Sequence, residues 1–294
     1  MNSKREILFI INPISGIGKK NKLPEIIEKN IDSELFNIEI SYTEYPGHGH
    51  EIAEEKSKEK DLIVAVGGDG SLNEIGSALV GKNCALGIIP CGSGNGFARH
   101  HNIPLKSRFA VNIINNWKII KVDSGTINGN VFLGNCGAGF DAHIAKRFNE
   151  EGKRGFTNYA RLVWKEFKNF EEFPVKFKID SENVVEESTI LINVSNGSQF
   201  GNNFYISPNS RTNDGKMELI LLKKFPLSKS IAMGYKFFRK VIQNSIYYKT
   251  IHVHENVEIE LPKGTPVQID GDYKELPHSL KISILPQSLN LLIP

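Results

Sequence analysis

Three glycine-rich turns each sit directly after a short, nearly continuous apolar run, and this placement restricts the fold more than any other feature of the chain. The runs are Ile7–Ile11, Leu62–Val66 and Ala85–Ile89, with a fourth at Ile38–Thr43. Largely unbroken apolar sequence belongs to strands covered on both faces, which is the situation of a parallel sheet. Helical periodicity fills the intervals at Leu23–Ile31, His48–Lys60 and Ser71–Val80. The spacing predicts an α/β domain with helices over a parallel sheet.

The turns read Asn12-Pro13-Ile14-Ser15-Gly16-Ile17-Gly18, Gly67-Gly68-Asp69-Gly70-Ser71 and Pro90-Cys91-Gly92-Ser93-Gly94-Asn95-Gly96. In an open α/β sheet the carboxyl ends of the strands carry the ligand, so all three are expected at one crevice. Missing Cβ atoms let backbone approach a ligand, and N–H groups at the following helix starts suit an anion such as a phosphate chain. One such turn is an ordinary strand-to-helix connection; three on one sheet edge, interleaved with Asn12, Ser15, Ser71, Ser93 and Asn95, point to nucleotide or phosphate binding. A Walker loop is absent, because Pro13 stands at its first glycine and Lys20 at its hydroxyl position. The dinucleotide fingerprint is also broken, with Phe97 or Asn21 at its last glycine. Asp69, set among glycines, is a carboxylate beside a polyphosphate, and a cation such as Mg²⁺ relieves that repulsion. The plainer alternative is that it caps the helix at Ser71.

The texture changes near Val122, where a domain boundary is expected, dividing the chain into 1–122 and 123–294. Asn128-Gly129 between two apolar stretches is a hairpin signal. Alternating segments follow at Val175–Ile179, Thr189–Val194, Met217–Leu222, Ile251–Val253, Val257–Leu261, Val267–Ile269 and Leu280–Leu285, with helices at Phe156–Phe170 and Leu227–Ile242. This composition predicts an antiparallel β-sandwich or barrel-like second domain, and its final strand is a candidate to return to the first. A net charge of +3 is too small for a nucleic-acid coat. The three cysteines, without CxxC spacing, read as buried thiols, and no stretch reaches the ~18 apolar residues of a spanning helix. A soluble, cytoplasmic protein is expected. His100-His101 falls at an expected helix end, where imidazolium suits the dipole, and His252 and His254 alternate on a strand as structural residues.

The motifs taken together resemble the diacylglycerol kinase catalytic-domain family, which includes bacterial diacylglycerol kinase-like and sphingosine kinase-like lipid kinases. The matching segments are Asn12-Pro13-x-Ser15-Gly16, Thr43 before Pro46-Gly47-His48, Gly67 through Glu74, Ile89 through Asn95 with Phe97-Ala98-Arg99, Asn213-Asp214-Gly215-Lys216-Met217 and Asp270-Gly271-Asp272. They span nearly the whole chain.

The resemblance implies an NAD kinase-like ATP-binding domain, a β-sandwich second domain, and Mg²⁺-dependent phosphorylation of a lipid hydroxyl. By motif position it places ATP contacts on Asn12, Pro13, Ser15, Gly16, Thr43, Gly67, Gly68, Asp69, Gly70, Ser71, Leu72, Asn73, Ser93 and Asn95. It implies a structural Mg²⁺ site at Asp214 with backbone groups near Arg211 and Lys216, and a proton-accepting carboxylate at Asp272. Asp69 is the alternative base and a Mg²⁺ partner. Three departures accompany the match: Asp272 stands where the bacterial enzymes commonly have Glu, Gly96 where many have Asp, and Asn213 where Asp is common. An NAD kinase-like enzyme and a non-catalytic nucleotide- or lipid-binding regulator are the alternatives.

Lys19, Lys20 and Arg99 lie near enough to the turns in sequence to add positive charge or to be plain surface residues. Lys223 through Lys240 carries six basic residues, no acidic ones, and Phe225, Tyr235, Phe237 and Phe238. Such a segment suits either peripheral contact with the inner face of an anionic membrane or an ordinary helix with a wet basic face. A homodimer is one assembly left open.

Overall fold

The computed structural model describes residues 4–14, 22–152, 155–180 and 182–294. The chain divides into two compact units, one formed by 1–122 with 287–294 and the other by 123–286. The first contains strands β1 (Arg5–Ile11), β2 (Phe36–Tyr42), β3 (Leu62–Gly67) and β4 (Ala85–Pro90), alternating with helices α1 (Leu23–Asn30), α2 (His48–Lys56) and α3 (Asp69–Leu79). After β4 come α4 (Gly96–His100) and α5 (Ser107–Asn116).

The strands pair in parallel in the order β2-β1-β3-β4. Residues Ile7 through Ile11 are fully buried, as are Leu62, Ile63, Val64 and Val66. These central strands therefore lie between covering layers, which is why they carry no polar alternation. The consequence is that β1, β3 and β4 present their carboxyl ends on the same edge.

The second unit begins within β5 (Ile119–Ile127), which pairs with β6 (Asn130–Phe132). Asn128 and Gly129 both have positive φ, +47° and +84°, the twist that a two-residue hairpin requires. The remaining strands are β7 (Asn135–Gly139), β8 (Phe173–Ile179), β9 (Val185–Thr189), β10 (Leu191–Ser195), β11 (Met217–Leu222), β12 (Tyr248–Val253), β13 (Asn256–Glu260), β14 (Val267–Ile269), β15 (Asp272–Lys274) and β16 (Ser279–Leu292). One antiparallel sheet runs β12-β11-β10-β7-β14-β15, while β16, β13, β8 and β9 form consecutive antiparallel pairs. Alternate residues of these strands, such as Val175, Phe177, Val257, Ile259, Leu219 and Leu221, meet in one apolar core. The end of β16 belongs to the first unit, where Leu291 pairs in parallel with Leu86.

Helices α6 (Phe140–Glu151), α7 (Phe156–Phe167) and α8 (Ser230–Phe238) complete the second unit. The segment expected as one helix over Leu227–Ile242 is divided: a 3-10 turn at Leu227–Lys229, then α8, then a second 3-10 turn at Ile242–Asn244. Lys240 at φ +60° leaves helical geometry and ends the continuity. The helix expected from Ser71 starts two residues earlier, at Asp69. No helix among the described residues is long and apolar enough to cross a membrane.

Candidate functional site

The first cluster grows from the carboxyl edge of the parallel sheet. Asn12, just after β1, donates from Nδ2 to the Ser71 hydroxyl on α3 at 2.9 Å and accepts the Ile14 N–H on Oδ1 at 3.0 Å. The loops after β3 and β4 touch backbone to backbone. A Cβ built on Gly92 would lie 2.6 Å from the Gly68 Cα and 2.9 Å from the Asn95 Oδ1, so no side chain fits between them. Cys91 N–H donates to the Gly67 carbonyl at 2.7 Å.

Asp69 joins these loops. Its Oδ2 accepts the Asn95 N–H at 2.8 Å and its Oδ1 the Gly96 N–H at 2.9 Å. Two charge-assisted bonds of ~1.5–3 kcal/mol each anchor the start of α4 to the start of α3. The expected alternative, a cap on the helix at Ser71, is thereby corrected: Asp69 opens its own helix and receives the amides of another. Asn95 closes the loop, accepting the Gly92 N–H on Oδ1 at 3.0 Å and donating to the Gly92 carbonyl at 2.7 Å. Arg99 Nε donates to the Gly94 carbonyl at 3.0 Å, so this side chain braces the turn.

Residues Gly67, Gly68, Asp69, Leu72, Pro90 and Asn95 line a small pocket at this edge. Gly70, Asn73 and Ser93 lie on the same segments, and Thr43 follows β2, its N–H donating to the Ile11 carbonyl at 3.0 Å. Pro13 directly follows Asn12. Ser15, Gly16, Lys19 and Lys20 lie outside the described residues. The Glu74 carboxylate accepts the Gly49 N–H at 2.7 Å, fixing α2 against α3 behind the loops.

The second cluster lies within the sandwich unit. Asp270 and Gly271 have φ of +48° and +86° and form the two-residue turn between β14 and β15, which places Asp272 opposite Ile269 at the start of β15. The Asp270 carboxylate accepts three backbone N–H groups, from Leu133 at 2.8 Å, Gly134 at 2.7 Å and Asn135 at 2.9 Å. Asp272 is exposed, on a turn whose base is pinned by Asp270. Gln268 continues the bracing, accepting the Gly271 N–H at 2.8 Å and donating to Asn135 at 2.7 Å and to Asp141 at 3.1 Å. Asn193 donates to the same two acceptors, at 3.0 and 3.3 Å. Burial pushes the Asp141 carboxyl up to about 6, against the hydrogen bonds from Ala142, Gln268 and Asn193.

Sequence reasoning did not single out Asn135, Asp141, Asn193 or Gln268. The available signal was a polar residue at an inward position of an otherwise apolar strand, as with Asn193 between Ile192 and Val194.

Arg211, Asp214 and Lys216 share one loop before β11, and all three are exposed. Asp214 accepts the Lys216 N–H at 3.2 Å, and the fully buried Asp123 accepts the Gly215 N–H at 2.9 Å. Beside the loop, Glu218 is pushed up to about 7, chiefly by burial, while the Ser210 hydroxyl donates to it. Among the described residues no three His, Cys, Asp or Glu side chains gather to hold a metal ion. Asp69 in the first unit and Asp214 in the second are single carboxylates, the kind of donor that a Mg²⁺ carried mainly on phosphate oxygens or water would take from a protein.

His101 corrects the expectation of an imidazolium at a helix end, because burial and the neighbouring His100 push it down to about 3 and leave it neutral. Burial pushes Cys84 up to about 12 and raises Cys136 as well, while Cys91 is half-buried.

Residues 6–127 match the diacylglycerol kinase catalytic domain, and residues 134–293 match the YegS C-terminal NAD kinase beta sandwich-like domain. A diacylglycerol kinase of Bacillus subtilis is 29% identical over 280 residues, covering 90% of this chain and 89% of that protein. A crystal structure of a diacylglycerol kinase from Bacillus anthracis aligns with a TM-score of 0.77 at 23% identity, over 100% of this chain and 98% of that one. An NAD kinase from Archaeoglobus fulgidus, solved in complex with ATP, shares the fold more distantly, with a TM-score of 0.54 at 15% identity, covering 97% and 93%. With both halves matched in order, the chain belongs to the diacylglycerol kinase catalytic-domain family with a YegS-type sandwich domain, a family of lipid kinases.

Proposed function

We propose that this protein transfers the γ-phosphoryl group of ATP, in a Mg²⁺-dependent reaction, to a hydroxyl of diacylglycerol, a sphingoid base or a related long-chain alcohol. The observation that carries this reading is the convergence of three glycine-rich loops: Asn12 on Ser71, Gly68 on Gly92, and Asp69 on Asn95 and Gly96. Phosphoryl transfer needs little covalent chemistry from the protein; it needs a held triphosphate, compensated charge and an aligned acceptor.

The loops supply close-approaching backbone at the N-terminus of α3, where N–H groups and the helix dipole favour phosphate oxygens. Asn12 and Ser71 add side-chain polar groups. Asp69 fixes the loop shape by accepting one backbone N–H on each oxygen, and as a carboxylate beside the phosphate-binding loops it is the candidate partner of a cation there. When bound at the phosphates, Mg²⁺ would neutralise their charge, with Asp69 as its candidate carboxylate, while Asp214, with backbone groups near Arg211 and Lys216, would hold a separate structural Mg²⁺ in the second unit. As the acceptor oxygen forms its bond to the γ-phosphorus and the bond to the departing ADP oxygen breaks, the hydroxyl proton passes to Asp272. The rigid turn that carries Asp272 supports this role, since a base must be held within hydrogen-bond reach of its proton. The lipid acceptor implies peripheral contact with a membrane.

Incubation with γ-labelled ATP, Mg²⁺ and a panel of dioleoylglycerol, sphingosine and NAD tests the reading. The expected product is a labelled lipid phosphate that depends on Mg²⁺ and disappears in Asp69→Ala. Label on NAD alone would replace the reading with an NAD kinase-like one. Nucleotide or lipid binding without turnover would leave a regulator.

A further inference from the structure

Helix α8 is apolar on two faces, and the fold buries only one of them, with the Phe238 ring on the other meeting Phe204 edge-on at 5.7 Å. Met233 and Phe237, four residues apart, are buried in the cluster that includes Ile242 and Phe204, with the Phe204 and Phe237 rings stacked at 4.3 Å. On the other side Ile231 is 85% exposed, Tyr235 61% and Phe238 44%, and Leu227 in the preceding turn is 40% exposed. Spacings of four and three residues place Ile231, Tyr235 and Phe238 along one stripe of α8, and Leu227 adds a further exposed apolar side chain from the turn before it. A single exposed apolar side chain is ordinary, whereas a helical stripe of three with a fourth beside it marks a surface meant to be covered.

The charges around the stripe identify the covering. Of the six basic residues between Lys223 and Lys240, Lys224 turns inward onto the carbonyls of Phe167 and Phe170, and Lys223 pairs with Glu187 at 3.7 Å. Lys229 instead donates to the Tyr247 hydroxyl at 3.1 Å, Lys236 to the Asn244 carbonyl at 3.2 Å, and Lys240 lies 4.4 Å from the centre of the Tyr205 ring. Those partners are neutral, so they orient the ammonium groups without cancelling them. Among the described residues, Lys229, Lys236, Arg239 and Lys240 have no ion pair with a carboxylate, and the segment has no acidic residue of its own. Protein interfaces deplete lysine around their apolar centres, whereas an anionic bilayer surface takes the apolar stripe and the cations together.

We propose that the outer face of α8, led by Ile231, Tyr235 and Phe238, docks on an anionic lipid bilayer, with Lys229, Lys236, Arg239 and Lys240 on its head groups. The inference rests on the lipid-kinase reading for its purpose, since it gives the surface on which the enzyme meets its acceptor. Its physical basis is α8 alone. Each uncompensated cation contributes about fivefold to binding at low salt.

The test is co-sedimentation of the full chain with vesicles of phosphatidylcholine alone or with 30% phosphatidylglycerol (about one lipid in three, enough to set an anionic surface potential). Size measurement in solution and phosphorylation of micelle-dispersed dioctanoylglycerol accompany it. Binding is expected to the anionic vesicles, to weaken with salt, and to fall at least about tenfold in Ile231→Glu and in the double variant Lys236→Glu/Lys240→Glu. The melting temperature and the activity in micelles should be unchanged, because these side chains lie outside the core. Equal binding to both vesicle types, or variants that bind like the wild type, would overturn the proposal. A wild-type dimer that Ile231→Glu converts to monomer would also overturn it, showing that a second copy covers the stripe. Vesicle binding that follows the variants without any lipid phosphorylation would leave the docking surface standing and remove the kinase reading.

Discussion

Substituting Gly92→Ala places one methyl group where the first cluster has no room. The new Cβ would lie 2.6 Å from the Gly68 Cα, against a normal carbon–carbon contact of ~3.5–4.0 Å. The obstacle is backbone, so no side chain can rotate away, and the two loops must separate by roughly 1 Å. Such overpacking costs ~1–3 kcal/mol. The displaced Gly92 N–H also loses the 3.0 Å bond to Asn95, worth ~0.5–1.5 kcal/mol. The total is ~1.5–4.5 kcal/mol, which at ~4 °C per kcal/mol for a unit of this size lowers the melting temperature by about 6–18 °C. A 1 Å displacement of phosphate-holding backbone should also reduce kcat/KM about 10²-fold.

Thermal melts with and without Mg·ATP, together with lipid phosphorylation assays, read both effects. Gly234→Ala is the control: a Cβ there meets nothing within 4 Å, and replacing a glycine within α8 should stabilise by ~0.5–1 kcal/mol. A Gly92→Ala protein that melts within about 2 °C of the wild type and retains its nucleotide response would refute the backbone-to-backbone loop contact and the site built on it.

Asp270→Ala leaves the N–H groups of Leu133, Gly134 and Asn135 without their acceptor and should cost at least ~3 kcal/mol in urea denaturation. Asp272→Ala should lower kcat by ~10²–10⁴ while moving the melting temperature far less than Asp270→Ala, and Asp272→Glu should retain activity. The Asp141 carboxyl, moved by burial from 3.8 to about 6, holds a proton in the folded state that the unfolded chain has already lost. Stability from this group is therefore present below about 4 and falls as pH rises through about 6, by ~3 kcal/mol in all. The difference in urea stability between the wild type and Asp141→Asn, followed from pH 4 to 7, checks this slope. A difference that grows in the opposite direction counts against a buried, proton-holding Asp141.

The parallel-sheet half was legible because burial on both faces writes itself as uninterrupted apolar runs, and because glycine at Gly68 and Gly92 is required by contact rather than by chance. The turn at Asn128-Gly129 was legible for the same local reason. Helix α5 was not, since Val111, Ile113 and Ile114 are β-branched residues close together, whose short apolar pattern serves a strand equally well. Helix α6 begins straight from strand β7 through Gly139, with no polar loop to announce it. The partner of Asp69 was also hidden: the loop motif shows a carboxylate among glycines, but the amides of Asn95 and Gly96, 26 and 27 residues on, are brought to it only by folding. The braces around Asp141 depend on strand register in the same way, with Asn193 and Gln268 paired across β7.

Hydrogen exchange on the intact protein, with and without Mg·ATP, addresses the nucleotide site most directly. The account predicts slowed amide exchange in peptides covering 12–14, 67–73 and 91–97, and loss of that protection in Gly92→Ala. Unchanged exchange in all three segments under saturating nucleotide, with protection elsewhere or nowhere, would contradict it.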